Sequence, residues 1–275
     1  MIRPSKPANY YLIAACLVLV LGIVIWVSNK SNSLSASSRT YSDKFITALP
    51  VDLSQVASIS KFRSCSGHDY SSENISGVEE TNRSMKHYID PLDSLVGSID
   101  VIKVFAPFDG KVAAIQADNS NNVQVGLQIW LTPTSNSAWS FIFYHVTPVI
   151  KAGDVVQAGQ LIGYANLSKS SVIDFDMALE AWPQNKNKPL GTGNYSNLAE
   201  ALHRVGGNYL SLLHAGQLDS VFNHMNSQVL ASFAEKGMNP VNMIVSQEAR
   251  DASPCPQPGS DWHYKSTSGD TVTVR

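Results

Sequence analysis

Residues 101–115 run Val-Ile-Lys-Val-Phe-Ala-Pro-Phe-Asp-Gly-Lys-Val-Ala-Ala-Ile, two short apolar segments separated by proline, aspartate and glycine. Each segment has the length and residue types of a β-strand, and the Phe-Asp-Gly between them predicts a turn. The same pattern predicts strands at 123–131, 139–146 and 171–179. Short strands at nearly regular spacing predict a mainly β fold, an antiparallel sheet or sandwich.

The segments that flank this β region have a different pattern of apolar residues. Residues 41–60 show weak helical periodicity and predict a helix-like lead-in. Apolar residues recur at helical spacing over 198–213 and 218–236, and Gly237 follows as a typical helix stop. We therefore expect a C-terminal helical segment, followed by a polar tail that ends in a short strand at 271–274.

The N-terminus predicts a membrane anchor. About eighteen uncharged residues, 10–27, approach the length needed to cross a bilayer core. Arg3 and Lys6 precede them and favour a cytoplasmic N-terminus. We expect one transmembrane helix in the cytoplasmic membrane, with the main domain outside the cytoplasm, periplasmic or extracellular. A cleaved signal peptide is the alternative, since Leu-Ser-Ala at 34–36 is a tolerable cleavage site.

These patterns divide the 275 residues into four parts. Residues 1–30 form the anchor, 31–60 a tether and lead-in, 61–182 the β domain, and 183–275 a helical extension and tail. The chain has 20 basic and 22 acidic residues, and no basic stretch is dense enough to track nucleic-acid phosphates. Nucleic acid is therefore not an expected partner.

Two cysteines, Cys65 and Cys255, lie in the exported part. An even pair in an oxidising compartment is most simply a disulfide. The alternative is that Cys65 is a metal ligand. The two predictions exclude each other, because a bridged sulfur is not a thiolate.

Several motifs together resemble one family, the zinc metallopeptidases of the LytM or lysostaphin type, peptidase family M23. Residues 63–70 have the form Arg-x-Cys-x-Gly-x-Asp-Tyr, and 106–112 the form Ala-Pro-Phe-Asp-Gly-Lys-Val. Tyr-His at 144–145 is similar to the catalytic-loop motif, which usually has one residue between the two. A glycine-punctuated stretch at 150–163 and Asp-Phe-Asp at 174–176 complete the resemblance.

The resemblance implies a β-rich domain that cuts peptide crosslinks of bacterial cell walls with zinc. It places the three metal ligands at Cys65, Asp69 and Asp176, and auxiliary catalytic groups at His145 and Asp174. The family has histidines at three of these positions, where this chain has Cys65, Asp174 and Asp176. The implied metal site is therefore degenerate.

The altered ligand set weakens the expected chemistry. One thiolate and two carboxylates would cancel the zinc charge that acidifies a bound water. Without a metal, Asp69, Asp174 and Asp176 would converge, which favours raised pKa values or a hard cation such as calcium. His68 is a possible substitute ligand, although neighbours on an extended segment point to opposite sides. His87 could reach the cleft, but an ordinary loop histidine is the simpler interpretation.

Three functions remain open from the sequence. The first is a membrane-anchored M23-like domain without standard zinc catalysis, which binds peptidoglycan or regulates another cell-wall enzyme and needs no cofactor. The second is an active metallo-endopeptidase with an unusual zinc site. The third is a periplasmic adaptor with a lipoyl-like barrel. A helical hairpin normally divides such a barrel, whereas residues 113–149 predict strands.

Overall fold

A computed structural model describes most of the chain beyond the N-terminal region. The described residues are 44–120, 123–168, 172–182, 216–256, 263–264 and 269–275. They all belong to one compact unit, Ser42–Arg275. The predicted anchor at 10–27 and the predicted helix at 198–213 lie outside the described residues. Among those described, no helix is long and apolar enough to cross a membrane.

The described residues fold mainly into antiparallel β-strands. The strands are β1 (Val56–Ser60), β2 (Gly67–His68), β3 (His87–Pro91), β4 (Lys103–Phe105), β5 (Gly110–Ser120), β6 (Val123–Pro133), β7 (Trp139–Pro148), β8 (Val155–Val156), β9 (Leu161–Ala165), β10 (Phe175–Ala181), β11 (Gln217–Asp219), β12 (His263–Tyr264) and β13 (Thr271–Thr273). Three α-helices follow β11: α1 (Ser227–Ala234), α2 (Pro240–Met243) and α3 (Gln247–Ala252). Short 3-10 turns lie at Leu53–Gln55, Asp93–Leu95 and Val221–Asn223.

One large sheet runs in the order β13-β1-β3-β10-β7-β6-β5-β8. β9 pairs with β4 and β7, β11 pairs with β10, and β2 and β12 form a separate two-stranded ribbon. All of these pairings are antiparallel. The mainly β antiparallel fold predicted from the sequence is therefore confirmed.

The described part of 113–149 consists of strands and the short loop that joins β6 to β7, as the sequence predicts. β5 and β6 pair along most of their length, and β6 then pairs with β7. These strands occupy the place where a lipoyl-like adaptor would have its helical hairpin.

Two predictions of helix were wrong. The lead-in ends in β1, which is held between β3 and β13 by strand pairing. The predicted helix at 218–236 begins only at Ser227, where the Asn226 side chain caps it by accepting from the Val229 amide. Ahead of it, β11 pairs with the end of β10.

β7 forms the buried centre of the sheet. Its first six residues are all buried, which requires packing on both faces. The ring of His224 lies against Trp139, with the two centroids 4.3 Å apart. Phe222 in turn packs edge-on against Phe233 of α1 at 5.0 Å. The described part of the C-terminal segment therefore covers one face of the sheet where β7 begins.

Candidate functional site

The candidate site lies where β10 begins, between its two neighbouring strands. Asp176 is paired in register with Tyr144 on β7 and with Tyr88 on β3. Its side chain is fully buried. A carboxylate in this position needs a positive partner, because moving an unpaired charge out of water costs several kcal/mol, to order of magnitude.

Lys86 supplies that partner. Its ammonium forms an ion pair with Oδ2 of Asp176, and only 5% of the residue is exposed. Burial alone would lower the pKa of Lys86, but Asp176, Tyr88 and Tyr144 outweigh burial and raise the pKa above its usual value. Lys86 is therefore charged at neutral pH.

Three tyrosine rings surround the same ammonium. The Nζ atom lies 4.9 Å from the ring centroid of Tyr70, 4.8 Å from that of Tyr88 and 4.5 Å from that of Tyr144. The hydroxyls of Tyr70 and Tyr144 are 2.7 Å apart, and Tyr70 also donates to Glu180 at 3.0 Å. Burial raises the pKa of all three tyrosines, so the rings remain neutral around the cation.

His145 sits on a bulge of β7. The register with β6 shifts between Leu127 and Ile129, which lie opposite Val146 and Phe143. The φ angle of His145 is 56°, a left-handed value that side chains rarely adopt and that concentrates at functional sites. Gly126 permits the close approach, since a Cβ there would lie 3.0 Å from the His145 Cα.

A buried carboxylate positions the His145 ring. Oδ2 of Asp118 accepts the backbone N–H of His145 at 3.0 Å and lies 3.1 Å from ring Nδ1. Gln128 donates to Oδ1 of Asp118 at 3.3 Å, and Trp130 donates to Gln128 at 3.1 Å. The opposite ring nitrogen, Nε2, faces Oδ1 of Asp176 at 3.8 Å. The imidazole is thus fixed with its Nε2 edge toward the centre of the site.

Asp174 lies directly before β10 and is only partly buried. Burial raises its pKa to about 7, with further contributions from the carboxylates of Asp176 and Asp90. The carboxylates of Asp174 and Asp176 are therefore close to one another, whereas the Asp69 carboxylate, the third that the sequence expects to converge with them, faces Tyr264. Asp90 itself accepts from the hydroxyl of Ser58 on β1.

Cys65 and Cys255 are joined in a disulfide, with the two Cα atoms 5.4 Å apart. Nη1 of Arg250 lies 2.7 Å from the Cys65 sulfur, and Nη2 donates to Asp270 at 3.0 Å. In this bonded state the Cys65 sulfur is not a thiolate. The prediction of Cys65 as a metal ligand is therefore wrong for the oxidised chain.

Asp69 lies beside this disulfide and not against Lys86. Its carboxylate accepts from Ser71 at 2.5 Å and faces Tyr264 on β12. Burial and the Asp69 charge raise the pKa of Tyr264. His68 donates its backbone N–H to the Tyr88 hydroxyl at 2.7 Å, and its Nδ1 is 3.2 Å from the same oxygen.

The residues present do not fit a zinc ion. The Cys65 sulfur is bonded to Cys255, and the Asp176 carboxylate is paired with Lys86. Within the described ranges, no group of three histidine, cysteine, aspartate or glutamate side chains is arranged to hold a metal. Of the predicted set, the structure brings together Asp174, Asp176 and His145, and it places Cys65 with Cys255.

Sequence reasoning missed Lys86 and Asp118. Lys86 lies in a polar, loop-rich stretch where a lysine is ordinarily solvated. Asp118 lies beyond the apolar segment that ends at Ile115, whereas β5 extends through it to Ser120. The signal that was available is the length of the alternating run 123–131, which needs a partner strand of similar length. In the structure β5 is that partner.

No family model and no curated protein matches this chain. Among solved structures, it is similar to lysostaphin at 19% identity and a TM-score of 0.30, over 45% of this chain and 49% of that one. A structure of a SpoIIIAH and SpoIIQ complex matches at 18% identity and a TM-score of 0.35, over 49% and 91%. The catalytic domain of a prophage-encoded M23 protein, EnpA from Enterococcus faecalis, matches at 16% identity and a TM-score of 0.29, over 43% and 84%. The chain thus spans about half the length of the first of these relatives.

Proposed function

We propose that this chain is a membrane-anchored, exported domain on an M23-like scaffold that binds cell-wall peptide, or a wall enzyme, without standard zinc catalysis. The proposal rests on one observation: two residues that the resemblance implies as metal ligands are bound to other groups. Cys65 is bonded to Cys255, and Asp176 is paired with Lys86.

The chemistry of the site supports binding over hydrolysis. A zinc hydrolase needs a cation with an open coordination position, where a water is acidified for attack on a carbonyl. An ammonium has no such position and offers only hydrogen-bond donors. The polar groups that remain partly exposed, Asp174, His145 and His68, are suited to hydrogen bonds with a peptide.

The first test measures zinc, free thiol and wall digestion on one sample. Full-length chain is expressed so that its C-terminal part is exported to an oxidising compartment, and is purified in detergent. We expect far less than one zinc per chain, no free thiol from Cys65 or Cys255, and no soluble peptides from purified peptidoglycan. Zinc near one per chain, free Cys65 and released peptides together would instead identify an active metallo-endopeptidase.

The second test measures binding to the wall. The same protein is sedimented with insoluble peptidoglycan, alongside Asp174→Asn and the matched control Asp154→Asn, whose carboxylate accepts the Lys151 amide in an exposed turn. We expect Asp174→Asn to lower the bound fraction and Asp154→Asn to leave it unchanged. No binding by any of the three would remove wall peptide as the ligand and direct the search to a wall enzyme. Equal binding by all three would show that the wall is bound without a contribution from Asp174.

The proposed location in the cytoplasmic membrane is tested separately by cell fractionation. We expect the full-length chain in the cytoplasmic membrane, with residues beyond 44 accessible to protease from outside. Recovery of a shortened chain in the soluble fraction would favour the cleaved signal peptide.

A further inference from the structure

Lys86 is unusual in how little of its ammonium faces water. Lysine is rarely buried unless paired, yet here the side chain is 6% exposed and its partner Asp176 is fully buried. The ion pair occupies one direction around Nζ. The faces of Tyr70, Tyr88 and Tyr144 occupy the others, at 4.5 to 4.9 Å.

Neutral aromatic faces and one carboxylate are the groups that bind an ammonium ion. The face of an aromatic ring attracts a cation within about 6 Å of its centroid, and the attraction strengthens when water is excluded. The carboxylate fixes the charge and accepts a hydrogen bond. The three tyrosine rings and the Asp176 carboxylate are therefore suited to bind an ammonium group of any molecule.

The backbone on both sides of Lys86 is pinned, which delivers its side chain into the pocket. The Met85 amide donates to the Tyr70 carbonyl at 3.1 Å. The Tyr88 amide donates to the Ser60 hydroxyl at 2.7 Å. His87, between them, bonds Ser60 and Ser220 through its two ring nitrogens. Lys86 thus reaches the pocket from a fixed base.

We propose that the pocket formed by Tyr70, Tyr88, Tyr144 and Asp176 is a binding site for a primary ammonium group, and that Lys86 of the same chain fills it. The resident ammonium acts as a built-in cation that keeps metal ions and external amines out of the site. This assignment does not depend on whether the domain binds cell-wall peptide.

The test removes the Lys86 side chain and adds a small amine that could take its place. Thermal unfolding of the full-length chain is followed for the wild type, Lys86→Ala, Lys86→Met and the exposed control Lys103→Ala, with ethylammonium chloride or potassium chloride at equal ionic strength. Loss of a buried ion-pair partner lowers Tm by roughly 10 °C. We expect this drop in both Lys86 variants and little change in Lys103→Ala.

Ethylammonium should change the Tm of the two Lys86 variants differently. It should raise the Tm of Lys86→Ala saturably, because the deleted side chain leaves room for it beside Asp176. It should not raise the Tm of Lys86→Met, whose side chain fills the same space without charge. A Tm rise of equal size in all four proteins, or none in a Lys86→Ala protein with a native near-ultraviolet circular dichroism spectrum, would overturn the proposal.

A measurement on the unmodified chain covers the case in which Lys86→Ala fails to fold. Native protein is treated with acetic anhydride near pH 9, and the acetylation of each lysine is followed by mass spectrometry. We expect Lys86 to react at least tenfold more slowly than Lys103, because its ammonium is paired and shielded. Equal rates for the two lysines would contradict the assignment.

Discussion

His145 is held by Asp118 in a backbone conformation that ordinary residues avoid. The carboxylate receives the His145 amide and faces ring Nδ1, so it secures both the bulge of β7 and the ring orientation. A carboxylate beside Nδ1 favours the tautomer with the proton on that nitrogen. Nε2 is then left as an acceptor that faces the centre of the site.

Asp118→Asn should therefore change the His145 tautomer without unfolding the chain. The amide can still accept one hydrogen bond, but it has no charge to hold the Nδ1 proton, and we expect a loss of about 1–3 kcal/mol of stability. Nitrogen-15 NMR of the imidazole checks this, with Nδ1 and Nε2 shifts that move toward a mixture of tautomers. Asp154→Asn, in an exposed turn, is the control. Unchanged ring shifts in Asp118→Asn would show that Asp118 does not position the ring.

At the level of elements, β2 is fixed by the contact between Gly67 and Tyr88. Gly67 has a φ of 66°, and a Cβ there would lie 2.0 Å from the Tyr88 ring. The absence of a side chain lets the ring approach the backbone closely, and the same ring lies against the Lys86 ammonium. The glycine of the Arg-x-Cys-x-Gly-x-Asp motif thus has a packing role in this chain.

Gly67→Ala should lower stability more than a glycine replacement that has only a backbone cost. Gly153 is the matched control, because its φ is 92° and nothing lies within 4 Å of its added Cβ. An alanine at positive φ costs about 1 kcal/mol, so we expect that loss in Gly153→Ala and at least twice as much in Gly67→Ala. Urea unfolding measures both. Equal losses would mean that the Tyr88 ring moves aside at no cost.

The sequence predicts the strands well and the site poorly, for physical reasons. Alternating apolar residues specify β6 and β7 locally, because each strand needs one or two apolar faces. The Lys86–Asp176 pair joins residues 90 positions apart through the register of β3 with β10, which local patterns do not reveal. The lead-in has weak helical spacing, yet its end pairs as β1, since pairing with β3 and β13 outweighs local preference.

For the molecule as a whole, the buried His87 and the half-buried Asp174 make stability depend on pH in opposite directions. Burial lowers the pKa of His87 to about 4. Below about pH 6.5 the unfolded chain takes up this proton first, so His87 reduces stability by roughly 3 kcal/mol as the pH falls to about 4. Burial also raises the pKa of Asp174 to about 7. The folded chain takes up that proton first, so Asp174 increases stability over much of the same fall in pH.

We therefore expect a nearly flat stability profile between about pH 6.5 and about pH 4.5 for the wild type, because the two contributions offset each other. Asp174→Asn should unmask a loss of stability on acidification, and His87→Gln should give a gain. Denaturant midpoints across this pH range measure the slopes, which matter more than the absolute values. The same slope in all three proteins would show that neither group controls the profile.

The Cys65–Cys255 bond also decides how the chain carries mechanical load. It joins residues that are 190 positions apart in the sequence. When the chain ends are pulled, the bond therefore prevents roughly 650 Å of extension, at about 3.4 Å per residue. β1 and β13 lie outside the closed loop and pair antiparallel, with Ser58 opposite Thr273 and Ser60 opposite Thr271. Tension between residue 44 and residue 275 would peel these two strands apart one pair at a time and then stop at the covalent clasp. The strands that carry Asp176, Tyr144 and His145 lie inside the closed loop, so the covalent bond limits how far they can be pulled apart.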